Sequence, residues 1–201
     1  MKNRKLIILS IVTLTVILAA GITSRLRAPQ SAINKQVLFP ELAVRINDVA
    51  TVTVKGNKGT IVLQQQGEQW VLASSDNYPA LFSRIKQNVV GMAELRIVDE
   101  KTDNPEFYDQ LGVEGPEIEG TKSMLIKLQD KSGQTIAEVI TGNKRQSSSN
   151  KPGLYARKPD TARALLVEGS LDISENPAHW FETHLFDISS AQVQDVRISY
   201  P

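Results

Sequence analysis

Two histidines, His179 and His184, are the only imidazoles in 201 residues, and they fall five apart in the stretch PAHWFETHLFD. On a helix, five residues set two rings about 140° apart. They therefore do not converge on a metal as the i, i+4 pair of an HExxH motif does. The carboxylates of Glu182 and Asp187 add little to such a site, and both histidines read as packing or capping residues. Cysteine is absent, which removes disulfides, thiolate metal sites and a cysteine nucleophile. No GxSxG elbow presents a serine for acyl transfer. The run GNKRQSSS (Gly142–Ser149) has glycine, lysine and serine without the GxxxxGK[ST] spacing that wraps a phosphate. The expectation is no catalytic residue, no metal and no cofactor.

The same stretch opens the most basic part of the body. Lys144, Arg145, Lys151, Arg157, Lys158 and Arg163 have only Asp160 as an acid among them. One reading is a solvated hairpin with cationic ends. The sharper reading is a surface that contacts anions, whether lipid headgroups, cell-wall polymer or an acidic partner. Trp70 and Trp180 admit stacking platforms or core packing. Core packing is expected for both, since each buries roughly 200 Å² in a small domain.

Composition places these residues in context. The chain is 41% apolar and 22% charged, which is ordinary for a globular protein and excludes wholesale disorder. Its net charge of +1 hides an asymmetry. Lys2, Arg4, Lys5, Arg25 and Arg27 precede residue 28 with no acid, so residues 28–201 hold 18 cations against 22 acids, a net of −4. An acidic body argues against nucleic-acid binding.

Lys5 and Arg25 bracket the uncharged run LIILSIVTLTVILAAGITS (Leu6–Ser24). As a helix it spans about 28 Å, close to the roughly 30 Å hydrocarbon core. The cations before it favour a cytoplasmic N-terminus and a body outside. A cleaved signal peptide is the rival reading, with Ala19-Ala20-Gly21 as its best cleavage site, although the run is long for one. Residues 1–27 are thus read as a membrane anchor and 28–37 (APQSAINKQV) as a tether. An extracytoplasmic domain follows over 38–190. The expected location is a bacterial inner membrane, crossed once, with the domain in the periplasm.

The expected fold class is α+β: an N-terminal transmembrane helix, then antiparallel β-meanders packed with a few short helices. Ala50, Val52 and Val54 alternate with polar residues as in a half-buried strand. A turn at Gly56–Gly59 leads into strands at Thr60–Gln65 and Gln69–Leu72, split by Gly67. Pro79 suits the first turn of a helix whose face is Leu81, Ile85, Val89 and Met92, with Phe82 beside them. Leu95–Val98 returns as strand. A short helix starts at Asn104-Pro105, stops at Gly112, and buries Phe107, Tyr108 and Leu111. Met124–Leu128 and Ile136–Ile140 form a second hairpin around Asp130–Gly133. Gly142–Gly153 reads as a long loop, Leu154–Arg157 and Ala164–Val167 as strands, and Asn176–Leu185 as a helix entered through Pro177.

Leu185–Tyr200 loosely echoes Leu38–Val54, with Val193, Val196 and Ile198 matching Val49, Val52 and Val54. Residues 191–201 are therefore read as a C-terminal strand, the start of a truncated second copy. Gln192–Ser199 is expected to add to an edge of the domain's own sheet, or to pair with another chain.

Taken together the segments resemble a bacterial envelope family catalogued as domain of unknown function 4340. The resemblance rests on the anchor, on LFPEL followed by INDVATVTV, and on GEQWVL. It continues through the NYPALFSRIKQNVVGMAELRIVDEKTDNPEFYDQLGV block, the LIKLQDKSGQTIAEVITGNK hairpin, GLYARKPD, and the DISENPAHWFETHLFDI close. The pattern Leu95, Lys101, Thr102, Asn104, Pro105, Tyr108, Leu111 and Gly112 is the most specific part. It implies an anchored extracytoplasmic protein with envelope partners, among them subunits of ABC-type transporters of the gliding-motility kind. It supplies no catalytic residues. Three functions follow as expectations: a non-catalytic module of an envelope assembly, a binding protein for a polysaccharide or cell-wall ligand, or a hydrolase with an unrecognised site.

Overall fold

A computed structural model describes residues 36–146 and 151–183, together with Asp195 and Arg197. Nine strands form one sheet in the order β4-β3-β2-β1-β6-β7-β8-β9-β5, with every neighbouring pair antiparallel. The first meander is β1 (Val49–Lys55), β2 (Thr60–Gln66), β3 (Gln69–Leu72) and the two-residue β4 (Tyr78–Pro79). The second is β6 (Met124–Asp130), β7 (Thr135–Gln146), β8 (Pro152–Arg157) and β9 (Ala164–Glu168), and β5 (Arg96–Glu100) lines its outer edge. Among the described residues, three α-helices complete the α+β layer: α1 (Pro40–Arg45), α2 (Phe82–Glu94) and α3 (Tyr108–Leu111).

Period-2 alternation puts a continuous apolar row on one face. Leu72, Leu63, Val52, Leu128 and Ala137 stand opposite one another across five strands, and Ile61, Val54, Ile126 and Val139 form the next row. All are buried. The helical period of α2 turns Ile85, Val89 and Met92 to this same core. The helix joins β4 at one edge of the sheet to β5 at the other. A flat sheet of nine strands would separate those edges by about 38 Å at about 4.8 Å per strand. Thirteen helical residues reach only about 18 Å, and the five Cα–Cα steps that link them to the two strands add about 17 Å at full extension. The right-handed twist of the sheet therefore has to coil it around α2.

The segment after β9 is strapped over α2. Asn88, almost fully buried, donates to the Asp172 carbonyl at 2.8 Å and accepts from the Asp172 amide at 2.8 Å. Trp180 is fully buried, its indole donating to the Ser174 carbonyl at 2.8 Å, while its own carbonyl accepts from Leu81 at 2.7 Å. Gly91, inside α2, leaves room for Leu171: a β-carbon there would lie 3.1 Å from that side chain. Both tryptophans are core residues, as expected.

Several local expectations are corrected. Pro79 does not open a helix; it lies in edge strand β4 opposite Val71, and α2 begins at Phe82. Asp76 and Asn77 take positive φ and turn the chain into that strand, where an edge tolerates proline's missing donor. Phe107 is exposed, whereas Tyr108 is buried as expected, its hydroxyl donating to the Ala162 carbonyl. The stretch from Asn176 forms only a 3-10 turn at Pro177–His179, with Asn176 capping the Ala178 amide at 3.0 Å.

The loop expected over Gly142–Gly153 is strand for much of its length, because β7 runs to Gln146 and β8 starts at Pro152. A bulge between Thr141 and Lys144 absorbs the register shift. The bulge docks the end of α3: the Asn143 amide donates to the Gln110 carbonyl at 3.1 Å. A β-carbon on Gly142 would fall against the Leu111 carbonyl and 2.8 Å from that of Gly112. Among the described residues no helix is long and apolar enough to cross a membrane. The anchor run Leu6–Ser24 lies outside them, as does the C-terminal strand expected over Gln192–Ser199, Asp195 and Arg197 apart.

Replacing Gly142 by Ala should cost about 1–3 kcal/mol through overpacking. Gly59→Ala, with open space around it, should stay within about 0.5 kcal/mol. Equal melting temperatures for the two variants would refute the docking role of the bulge.

Asp130 closes the β6–β7 turn. Its carboxylate accepts from the Ser132 hydroxyl at 2.6 Å, the Ser132 and Gln134 amides at 2.9 and 3.0 Å, and Arg45 of α1 at 2.7 Å. The Ser132 hydroxyl, then those amides and Arg45, hold its pKa below the ordinary 3.8 against the opposing effect of burial. A depressed folded-state pKa contributes stability at pH above the unfolded value, and that stability is lost as pH falls through the folded one. Asp130→Asn should therefore flatten the loss of stability below about pH 4, measured by urea unfolding from pH 3 to 7. An unchanged slope would contradict this assignment.

Candidate functional site

The six cations do not share one surface. Arg157, in β8, is built into the fold: its guanidinium lies 4.7 Å from the centre of the Tyr108 ring and donates to the Val113 carbonyl at 3.1 Å. Arg163 pairs with Glu100 at 3.3 Å and Asp103 at 2.9 Å, acids delivered by β5 and the segment after it. Lys151 pairs with Glu168 at 2.9 Å across the β8–β9 hairpin. Lys158 sits 5.0 Å from the Phe39 ring centre, in a groove of about 450 Å³ that Glu41 and Asp160 also line. These four cations are thus neutralised or stacked by residues distant in sequence.

Lys144 and Arg145 differ. They follow the bulge on β7 and line a groove of about 370 Å³ whose floor is Met124, Leu154, Leu171 and Ile173. Lys122 joins them from the segment before β6. Arg145 donates to the Tyr155 hydroxyl at 3.3 Å, whereas Lys122 and Lys144 have no ion-pair partner among the described residues. Reading along the chain misses Lys122, because antiparallel pairing of β6 with β7, not sequence proximity, brings it here. The signal available in sequence was only a lysine just outside an alternating strand.

His179 is a packing residue. Arg84 has only donors, and its guanidinium reaches Nδ1 at 2.8 Å, so Nδ1 accepts and Nε2 is left to donate to the Asp172 carbonyl at 3.0 Å. The ring fastens the strap to α2. His184 lies outside the described residues. A further groove of about 360 Å³ runs between α2 and the first meander, lined by Trp70, Phe82 and Ile85 among others.

A family model described as "Domain of unknown function (DUF4340)" matches residues 70–201. The chain belongs to the DUF4340 family. The match begins at Trp70 within β3 and takes in α2, the second meander and the strap, so the cationic groove lies inside the DUF4340 region. β1, β2 and α1 precede it but complete the same sheet and core. No curated protein and no solved structure matches the chain.

Arg157→Ala should destabilise the domain by about 1–3 kcal/mol, by uncovering Tyr108 and leaving the Val113 carbonyl without its partner. Lys144→Ala should stay within about 0.5 kcal/mol. Thermal unfolding of the two variants separates the structural cation from the unpaired one, and equal losses would contradict the division.

Proposed function

We propose that this DUF4340 protein is a non-catalytic, membrane-anchored module of a bacterial envelope assembly, acting beside an ABC-type transporter. The observation that carries the reading is the uncharged Leu6–Ser24 run between clustered cations. It has the length of one membrane crossing and the flanking charge of a cytoplasmic N-terminus. The polar tether then leads to Gln36 and Val37, which join the β5 edge: Val37 bridges Arg96, and Gln36 accepts from the Ile97 amide at 2.8 Å. Partnership with transporter subunits follows from the family resemblance. A second reading, an extracytoplasmic binding protein, draws on the cationic groove.

A reporter active only outside the cytoplasm, fused after Pro201, should be active, with the full-length protein in the membrane fraction. Leu14→Arg should release the protein from that fraction, since a charge at the centre of a span costs about 2.5–3.5 kcal/mol on insertion scales. A soluble product shortened by about 20 residues would identify a cleaved signal instead.

A further inference from the structure

We infer that the groove at the end of β7 and the start of β8 binds a single-chain anionic amphiphile, with a phosphate or carboxylate head at Lys122 and Lys144 and an alkyl chain on the floor beneath. Three observations carry this assignment. The groove wall holds these two lysines and no carboxylate, although the body from residue 28 onward is net acidic. The acids that flank the Gly169–Leu171 side of the groove are engaged elsewhere: Glu168 with Lys151 at 2.9 Å, and Asp172 with Arg84 at 3.8 Å. The cations thus have an unmet charge, and an anionic head supplies charge-assisted hydrogen bonds.

The floor is apolar yet accessible. Leu154 and Leu171 are buried, whereas Met124 and Ile173 are only half-buried, so an alkyl chain gains contact there that water does not provide. A volume of about 370 Å³ falls within the usual range of small-molecule pockets, roughly 300–1,000 Å³, which likewise pair an apolar lining with few polar groups. The bulge is what creates this combination. Without its register shift, regular alternation would place Lys144 on the opposite face from Leu154; with it, the two stand directly opposite. The assignment does not depend on whether Leu6–Ser24 is retained or cleaved.

The test uses the full chain in nanodiscs of zwitterionic phosphatidylcholine, titrated calorimetrically with octyl phosphate against empty discs. Saturable binding above the empty-disc background is expected. Inorganic phosphate should bind at least tenfold more weakly, and octyltrimethylammonium should show no excess over empty discs. The double variant K122E/K144E, at surface positions and checked for an unchanged melting temperature, should weaken octyl phosphate binding at least tenfold. Four results would each overturn the assignment: no saturable binding, equal binding of the cationic amphiphile, inorganic phosphate as tight as octyl phosphate, or an unaffected double variant.

Discussion

A helix that must reach from one edge of a nine-stranded sheet to the other governs this fold. Between β4 and β5 the chain has α2 and three further residues, too short a span to cross a flat sheet. The sheet coils, and the concave face it creates is filled by the helix that imposed the curvature. The apolar rows of β1, β2, β6 and β7 share one core with Ile85, Val89 and Met92 of this 13-residue helix and with Leu42 of α1. Trp180 and Leu171 belong to the same solution, because the strap that carries them is fastened to α2 through Asn88.

Polar groups inside this arrangement are committed to holding it. The Asn88 amide ties α2 to residue 172, His179 and Arg84 hold the strap, and Asp130 gathers the β6–β7 turn and α1. No buried side-chain nitrogen or oxygen among the described residues lacks a hydrogen-bond partner. Lys122 and Lys144 lie uncommitted at the surface, at the far end of β7, where the bulge turns Lys144 to the face of Leu154 and antiparallel pairing carries Lys122 alongside. The bulge therefore has two consequences: Gly142 seats the end of α3 on one face, and the shifted register sets cations over an apolar floor on the other.

Strands were legible in the sequence wherever one face is buried and the other wet. Val52 and Val54, or Ile126 and Leu128, declare their alternation because water and core impose opposite chemistries on successive residues. Gly67 and Gly112 declared their turns in the same way, each with a positive φ that side chains disfavour. The extension of β7 was not legible. Its residues Gly142, Asn143, Lys144 and Arg145 have the composition of a loop, and only pairing with Pro152–Leu154 makes them strand. Proline likewise misled at position 79, since a fixed φ near −65° serves a helix start and an extended edge equally well.

By itself the amino-acid sequence determined the class of fold, the family, the two meanders and the Ile85, Val89 and Met92 face of α2, though not the exposure of Phe82 beside it. These follow from periodicities of two and 3.6 residues that each segment carries within itself. Tertiary structure alone decided which cations are available. Arg163, Lys151 and Arg157 look as unpaired along the chain as Lys144 does, but Glu100, Glu168 and Tyr108 reach them from other strands and loops. Charge neutralisation acts over a few ångströms of space regardless of separation along the chain. A surface of six cations in sequence thus becomes a groove with Lys144 of those six, joined by Lys122, which sequence order had set apart.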